Sequence, residues 1–224
     1  MFGYHAQIIE TFPTIRAGVI HAVGVENGPA SPDLTDEYRA QQRATRKALE
    51  GVSLADTSSI AAWRRVFSRF GVKPTQYRNA GEALLRRLTK QADIPSLNRL
   101  VDIGNLVAIR YSLPVAVFDQ AQVTGSTTVR FARGDESFTD LGSDTPTSPE
   151  PGEVIFADDS DLVSARRWCW RQSAQSATKA STTEVLVTVE GHHDDAAADT
   201  AAALDDLGDL FERYLPGAGL TMAR

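Results

Sequence analysis

The chain has a single cysteine, Cys169, and no long apolar run. One thiol cannot form an internal disulfide, and an unpaired thiol is typical of a reducing compartment. A membrane-spanning helix needs about 18 or more consecutive apolar residues, which the sequence never provides. The segment Met1–Glu10 lacks the basic start and the apolar stretch of a signal peptide. We therefore expect a cytoplasmic protein with no membrane partner.

Standard catalytic signatures are also missing. The sequence contains no phosphate-binding loop of the Walker type, no GxGxxG after a strand and no GxSxG nucleophile elbow. Its histidines, His5, His21, His192 and His193, have no zinc-like spacing with another ligand. The run His192–Asp195 is explained by an aspartate that caps a helix beside exposed histidines. No metal and no cofactor is expected.

Lysine is scarce, with 4 lysines against 19 arginines, and the formal net charge is −6. An acidic total argues against a nucleic-acid partner, because Lys and Arg supply most of the affinity for phosphate. The charge is segregated, however. Residues Arg39–Arg110 carry a balance of +9, whereas Tyr111–Ala165 and Glu190–Glu212 carry −8 each. Such a chain has a basic side that suits phosphate contact and acidic sides that do not.

The basic half is predicted to be helical. Ser31 and Pro32 form a helix-start signature for a helix that runs to about Leu49, and three more helices are predicted. These cover Ser58–Phe70, Asn79–Gln91 and Ser96–Arg110. The arginines on their outer faces form either solvated helix faces or an RNA-binding surface. The candidate RNA-binding residues are Arg39, Arg43, Arg64, Arg65, Arg86 and Arg87.

After Ser112 the hydrophobic period changes from 3.6 to 2, which is typical of strands. The predicted strands are Val115–Phe118, Thr127–Phe131, Glu153–Phe156, Arg166–Trp170 and Thr183–Glu190. Residues 192–224 are predicted to form a C-terminal amphipathic helix. Runs of helices followed by runs of strands indicate an α+β fold. We predict one α+β domain over residues 1–224, with mixed sheets, flanking helices, a helical first half and a strand-rich second half.

Three clusters combine polar residues in patterns that suit a binding site. In the first, Asn98, Asp102 and Asn105 share one face of a helix, where they can cap it or hold a polar ligand. The second, Leu113–Asp119, is a strand that ends in an aspartate. The third, Arg166–Ser173, contains three Arg, two Trp, a Gln and a Ser.

The third cluster has two interpretations. Arg and Trp on alternating sides of a strand suit stacking on a base or an aromatic substrate, while Gln172 and Ser173 supply hydrogen bonds. The alternative is a half-buried strand with an amphipathic Arg face. In either case Cys169 is expected to be a core thiol on the face opposite Trp168 and Trp170.

The order of these motifs carries a family resemblance. Four motifs follow one another along the chain. They are Asn-x-x-Val-Asp-x-x-Asn at 98–105, Leu-Pro-Val-Ala-Val-Phe-Asp at 113–119, a Gly and a Val-Arg strand within 125–130, and Pro-Gly-Glu-Val-Ile at 151–155. This order resembles the B3/B4 domain of the phenylalanyl-tRNA synthetase beta subunit. The segment Trp168–Gln172 looks like the free-standing B3/B4 domain proteins. The resemblance covers roughly residues 12–191.

In the synthetase this domain is the editing module, which binds the acceptor end of a mischarged tRNA and hydrolyses the ester to a wrong amino acid, typically tyrosine. The resemblance therefore implies an α+β fold, contact with the tRNA acceptor end, and deacylation of aminoacyl-tRNA in trans. It places Asn105 at the editing pocket. A water held beside the activated ester by amide and hydroxyl groups suffices for hydrolysis, and the candidate anchors are Asn105, Gln172 and Ser173.

Further candidate pocket residues are Asp102, Ala116, Asp119, Glu153, Trp168, Trp170 and Arg171. Glu153 is either an anchor for the ammonium group of the substrate or a strand-end carboxylate. Ala116 stands where the synthetase pattern has a histidine that helps to position the ester. The glutamate that reads the tyrosine hydroxyl has no clear match, since Gln175 and Ser176 occupy that region.

These departures keep two alternatives open beside the deacylase. One is a non-catalytic module that binds an amino acid or an RNA end on the same fold. The other is a small-molecule enzyme on the same scaffold. The sequence does not indicate an oligomeric state.

Overall fold

The computed structural model describes residues 1–224, which form nine strands and six α-helices. The strands are β1 (Phe2–Tyr4), β2 (Arg16–Val23), β3 (Val115–Asp119), β4 (Thr127–Phe131), β5 (Val154–Ala157), β6 (Val163–Arg166), β7 (Arg171–Gln172), β8 (Glu184–Gly191) and β9 (Gly219–Ala223). The helices are α1 (Ala6–Thr11), α2 (Pro32–Ala48), α3 (Ser58–Arg69), α4 (Ala80–Gln91), α5 (Arg99–Tyr111) and α6 (Ala196–Tyr214). None of these helices combines the length and the apolar character that crossing a bilayer requires.

Helix α2 begins at the capping residue that the sequence predicts, and α5 begins at Arg99, three residues after the predicted start at Ser96. Ser31 Oγ accepts a hydrogen bond from the Leu34 amide at 3.2 Å, and the side chains of Asn79 and Asn98 cap α4 and α5 in the same way. Each cap pairs an amide that the first helical turn would leave without a partner. The α+β class is confirmed, with most of the helix in the first half and most of the strands in the second.

The strands form two sheets. The outer sheet has the order β1-β4-β5-β6-β7, and the central sheet has the order β3-β8-β2-β9. Helices α5 and α6 pack on one face of the central sheet, and α2 packs against α5. The other face of the central sheet meets the outer sheet and α3 across a second core rich in aromatic side chains. The central sheet is therefore covered on both faces.

Strand β8 lies between β2 and β3 and shapes both cores. Its valines belong to the core shared with α5 and α6, whereas Leu186 belongs to the core between the sheets. Successive side chains of a strand point to opposite faces, so Thr188 and Glu190 lie on the same face as Leu186. Two polar side chains therefore point into the space between the sheets.

The C-terminal segment differs in part from its prediction. Helix α6 is present, but it ends at Tyr214, and Gly219–Ala223 form β9 antiparallel to β2. The prediction of helix for 192–224 is therefore wrong beyond Tyr214. The partner of β9 lies near the other end of the chain, and local periodicity carries no information about such distant pairing.

The strand predicted over Arg166–Trp170 is wrong after its first residue. Strand β6 ends at Arg166, and residues 167–170 form a turn in which φ is +46° at Arg167 and +59° at Trp168. Bulky side chains rarely adopt this left-handed conformation, and no Gly or Asn marks it in the sequence. The turn directs Trp168 into the core between the sheets, where its side chain is fully buried.

Helix α4 comes very close to the chain that enters β3. A Cβ on Gly81 would lie 2.8 Å from the carbonyl carbon and oxygen of Leu113, which are backbone atoms. We expect Gly81→Ala to lower the free energy of unfolding by about 1–3 kcal/mol, although alanine favours helix over glycine. Urea denaturation followed by circular dichroism measures the change. Gly28→Ala is the control, since its Cβ would meet nothing within 4 Å. Equal stability of Gly81→Ala and the unmodified protein would contradict the tight contact.

Candidate functional site

A cavity of about 70 Å³ lies between the two sheets. Its walls come from β3 and β8 of the central sheet, from β5 to β7 of the outer sheet with the turn before β7, and from the start of α4. Most of the wall is apolar. Polar atoms reach it from Arg171, Gln172, Thr188 and Glu190. A mainly apolar cavity with a few convergent polar groups is the usual form of a small-ligand site.

Ala116 leaves room for this cavity. It pairs with Thr188 in the antiparallel register of β3 and β8, and both residues line the wall. Paired residues of neighbouring strands lie side by side on the same face. A larger side chain at position 116 would occupy the space above Thr188. Ala116 thus lines this cavity, and its place in a substrate pocket stays a prediction.

Glu190 is the one carboxylate that lines the cavity, and it was not among the predicted site residues. The residue is 2% exposed, and its Oε1 accepts hydrogen bonds from Tyr4 Oη at 2.5 Å and from Trp168 Nε1 at 2.9 Å. No protein donor reaches its Oε2. Burial raises the pKa of Glu190 to about 7, while the two hydrogen bonds act in the opposite direction. The sequence signal that could have identified Glu190 is the alternation of side chains along β8, which places Glu190 on the same face as Leu186.

Thr188 adds a second unusual polar group. Its Oγ1 is buried and has no hydrogen-bond partner, although the residue is only 1% exposed. Buried hydroxyl groups nearly always find a partner in the protein or in ordered water. The hydroxyl of Thr188 is therefore available to whatever occupies the cavity.

Gln172 is held in place by its amide nitrogen. Nε2 donates to the backbone oxygens of Val117 at 2.9 Å and Ser176 at 2.6 Å. These bonds connect β7 to β3 and fix the orientation of the amide group. Oε1 of Gln172 receives no hydrogen bond from the protein, so one acceptor remains for a ligand.

Cationic and aromatic side chains cluster around Trp170, which lines the cavity. The guanidinium of Arg167 lies 4.1 Å from the ring centre of Tyr77 and 4.8 Å from that of Trp170. The guanidinium of Arg171 lies 4.6 Å from the ring centre of Trp170, and its Nη1 is 3.1 Å from Asp140 Oδ1. Cation–π contacts of this kind hold guanidinium groups in defined positions. The sequence prediction for Trp170 and Arg171 agrees with their place on the cavity wall.

Asn105 is not among the residues that line the cavity. Gly104 faces β3, since a Cβ there would lie 3.0 Å from Val117 Cγ2. One residue further along an α-helix is turned by about 100°, which directs Asn105 away from β3. It lies beside Tyr38 of α2 instead. The structure does not bring Asn105 together with Gln172 in the cavity.

The two aspartates predicted to lie in the pocket form hydrogen bonds with neighbouring loop residues instead. Asp102 is fully buried, and its carboxylate accepts from the Leu97 amide at 3.0 Å and from Ser96 Oγ. Asp119 accepts from the Ala121 amide at 2.8 Å and from Thr182 Oγ1. Neither lines the cavity. Both carboxylates stabilise loops that flank the cavity strands.

Ser173 and Glu153 also lie outside the cavity wall. Ser173 is fully buried, and its Oγ is 3.0 Å from Ser176 Oγ. Glu153 binds the guanidinium of Arg166 through both oxygens, at 2.8 and 3.0 Å, and that of Arg167 at 2.8 Å. Two cations around one carboxylate leave a net positive charge. This arrangement corrects the prediction that Glu153 could anchor an ammonium group.

Trp168 and Cys169 line the cavity from the turn. Trp168 is packed edge-on against Phe12 and Trp63, with ring centres 5.2 Å away in each case, so its ring is not free to stack on a base. Cys169 is a buried thiol whose pKa is raised well above its ordinary value by burial, as expected for a core thiol. The stacking role predicted for Trp168 is therefore corrected.

Most of the predicted RNA-binding arginines are exposed. Arg39, Arg43, Arg65 and Arg87 project into solvent, and Arg86 is half-buried. Arg64 is different, because it makes a bidentate contact with the fully buried Glu82, at 2.5 and 3.1 Å. Its charge is used inside the protein. The structure thus removes Arg64 from the set of free phosphate contacts.

The two adjacent histidines are buried, which corrects the expectation that they are exposed. His192 is 5% exposed and His193 is 7% exposed. Burial lowers the pKa of His192 to about 3, so its ring is neutral near pH 7. The structure contains no group of three or more His, Cys, Asp or Glu side chains that could hold a metal ion.

Comparison with known proteins gives one family match and several relatives. A family model described as the B3/4 domain matches residues 62–222. The phenylalanine–tRNA ligase beta subunit of Shewanella oneidensis is 29% identical over 142 residues, which is 63% of this chain and 17% of that protein. The corresponding subunit of Chromobacterium violaceum is 34% identical over 77 residues, which is 34% of this chain and 10% of that protein. The chain thus spans less than a fifth of the length of these curated relatives.

One solved structure extends the comparison to nearly the whole chain. It is an N-terminal fragment of the phenylalanyl-tRNA synthetase beta-subunit from Pyrococcus horikoshii, with a TM-score of 0.49 and 10% sequence identity. The alignment covers 98% of this chain and 50% of the fragment.

The raised pKa of Glu190 predicts a pH-dependent stability. The folded state holds this proton more tightly than the unfolded state, so stability falls as the pH rises from the ordinary value of 4.5 to about 7. Glu190→Gln keeps an acceptor for Tyr4 and Trp168 and removes the charge. We expect it to stabilise the protein by on the order of 3 kcal/mol at about pH 8 and by less than about 1 kcal/mol at about pH 5.

Urea denaturation at the two pH values measures this difference. Glu184→Gln is the control, because Glu184 lies on the same strand with an exposed side chain. A gain in stability that is the same at both pH values would contradict the raised pKa.

Proposed function

Because the chain belongs to the B3/4 domain family, we propose that it binds the acceptor end of aminoacyl-tRNA and hydrolyses the ester of a mischarged tRNA in trans. Under this proposal the protein acts in the cytoplasm, where tRNA is aminoacylated. The observation that carries it is the cavity between the sheets, which has free hydrogen-bonding groups inside and cationic and aromatic groups around Trp170. The end of an aminoacyl-tRNA has a corresponding arrangement: the aminoacyl group would lie inside the cavity, and the terminal nucleotide and its phosphate would lie outside it.

The cluster around Trp170 suits the terminal nucleotide. Arg171 supplies a guanidinium, which binds phosphate oxygens well, and Trp170 supplies a half-buried aromatic face. Arg167 lies between Tyr77 and Trp170 and adds a second guanidinium to this cluster. The aminoacyl group would then enter the cavity past Trp170.

The hydrolysis needs a positioned water more than a strong base. Water adds to the ester carbonyl carbon, the bond from that carbon to the ribose oxygen breaks, and the proton of the water passes to the ribose oxygen that leaves. Holding the reactants together supplies a large part of the rate. Gln172 is the group best placed to hold this water, since its amide nitrogen is fixed by two backbone oxygens and its Oε1 is free.

The helical side supports docking of the rest of the tRNA. Arg39 and Arg43 are exposed on α2, and α4, which carries Arg87, packs against α2. Arginine clusters of this kind neutralise backbone phosphates without reading sequence. Exposed arginines on these two packed helices would supply such contacts.

A non-catalytic binding module is the second candidate. Ala116 favours it, because the synthetase pattern has a histidine at this position. Such a module would hold the aminoacyl end and release it unchanged. Turnover separates the two candidates.

The deacylation assay uses a panel of tRNAs mischarged with amino acids of different size. We expect hydrolysis above the buffer rate for at least one of them, and a loss of about 100-fold in Gln172→Ala, since misplacing the water removes the orientation effect. Gln122→Ala is the control, because Gln122 is exposed and lies outside the cavity. Thermal unfolding verifies that both variants fold. Absence of turnover with every tRNA would exclude the hydrolase and leave the binding module.

Binding of tRNA at several salt concentrations tests the basic side. We expect the double variant Arg39→Ala, Arg43→Ala to bind more weakly and to lose about 2 from the slope of log affinity against log salt. Arg133→Ala is the control, since its side chain is 54% exposed in the acidic part of the chain. An unchanged salt slope in the double variant would show that α2 does not contact phosphate.

A further inference from the structure

Three oxygen atoms of the cavity-lining side chains have no protein donor. Thr188 Oγ1 is buried without a partner. Both donors to Glu190, Tyr4 and Trp168, bind Oε1, which leaves Oε2 without a donor. Gln172 Oε1 is also without one. A buried hydroxyl without a partner is costly, and the other two oxygens belong to residues of the same cavity wall. An occupant that donates hydrogen bonds would satisfy all three.

The charge of this acceptor set indicates a cationic donor. Glu190 is the one acidic residue that lines the cavity, and the two titratable groups in contact with it or beside it, Tyr4 and Cys169, have raised pKa values and stay uncharged. The pKa of Glu190 near 7 makes its carboxylate accessible at neutral pH, and a bound cation would favour that form. Aromatic rings on the remaining wall are compatible with a cation as well.

An ammonium group fits better than a metal ion. Hard divalent cations take about six oxygen ligands, usually from several carboxylates, and this cavity offers one carboxylate. A compact ammonium group has three N–H donors, which match the three acceptors Glu190 Oε2, Thr188 Oγ1 and Gln172 Oε1. An α-amino acid, free or esterified, carries such a group.

The size of the cavity limits the side chain of this amino acid. A cavity of about 150 Å³ in another protein holds one benzene ring, and this cavity has about half that volume, near 70 Å³. Its aromatic walls are packed against each other, with the ring centres of Phe118 and Phe156 5.3 Å apart. A phenyl or phenol ring therefore does not fit beside the ammonium group.

We propose that the cavity binds the α-ammonium group of a small amino acid, of the size of glycine, alanine or serine, with Glu190 as its anchor and Thr188 and Gln172 as further acceptors. Binding of the free amino acid does not require that the protein hydrolyses aminoacyl-tRNA. Binding of the amino acid esterified to tRNA rests on the proposed function and names the substrate class of the hydrolase.

Saturation-transfer NMR with glycine, L-alanine and L-alaninamide tests the proposal on the full chain. We expect these probes to bind and N-acetyl-L-alanine to fail, because acetylation removes the ammonium group. Glu190→Gln should weaken L-alaninamide binding by at least about 10-fold, as expected for a hydrogen bond to a charged group. Glu184→Gln, at the exposed end of the same strand and outside the cavity wall, should bind like the unmodified protein.

A second variant covers the case in which Glu190→Gln disturbs the fold. Ala116→Leu extends a side chain into the space above Thr188 and should abolish binding of L-alanine, while thermal unfolding reports its stability. Equal binding of N-acetyl-L-alanine, no binding of any probe, or binding of L-tyrosine as strong as that of L-alanine would each overturn the proposal.

Combining the two assays separates this proposal from the hydrolase. Binding of L-alanine that depends on Glu190, without hydrolysis of any tRNA, would support the site and exclude the enzyme. Hydrolysis of alanyl-tRNA and N-acetyl-alanyl-tRNA at equal rates, unchanged in Glu190→Gln, would support the enzyme and exclude the site.

Discussion

The contact of Glu190 with its two donors joins the parts of the fold that enclose the cavity. Tyr4 belongs to β1 at the edge of the outer sheet, Trp168 to the turn after β6, and Glu190 to the centre of the central sheet. Both hydrogen bonds meet at Oε1. In a buried environment such bonds are strong, and a partner that moves away leaves an uncompensated polar group. The relative position of the sheets, and with it the shape of the cavity, therefore depends on one carboxylate.

Two other buried glutamates of this protein are paired with arginine. Glu82 is held by Arg64, and Glu153 by Arg166 and Arg167. Breaking such buried pairs is strongly destabilising, because a charge remains without a partner. Glu190 has no cation beside it and receives only neutral donors. Asp102 and Asp119 also receive only neutral donors, but of these three carboxylates Glu190 alone lines the cavity. An external partner in the cavity would balance its charge, whereas several arginines serve the fold and not a ligand.

The helices and most of the cavity strands follow from local sequence, because caps and hydrophobic periodicity are local signals. The left-handed turn at Arg167 and Trp168 could not be predicted, since its conformation is stabilised by tertiary packing and neither residue favours it. Asn105 was expected at the pocket from the family resemblance, but the contact of Gly104 with β3 sets which face of α5 is turned inward. Ala116, Trp170, Arg171 and Gln172 line the cavity, and their roles toward a substrate stay predictions. Thr188 and Glu190 were overlooked, because polar residues within an apolar strand give no sign of a space between two sheets.

The backbone of the turn after β6 is less relaxed than the rest of the chain. A residue with a side chain loses roughly 1–2 kcal/mol in the left-handed region, and here two consecutive residues adopt it. The contacts that offset this cost are those of Arg167 with Glu153 and of Trp168 with Glu190. Both contacts end on a carboxylate. The wall of the cavity is therefore held through Glu190 itself, so that a ligand which binds this carboxylate would also select one conformation of the turn that encloses it.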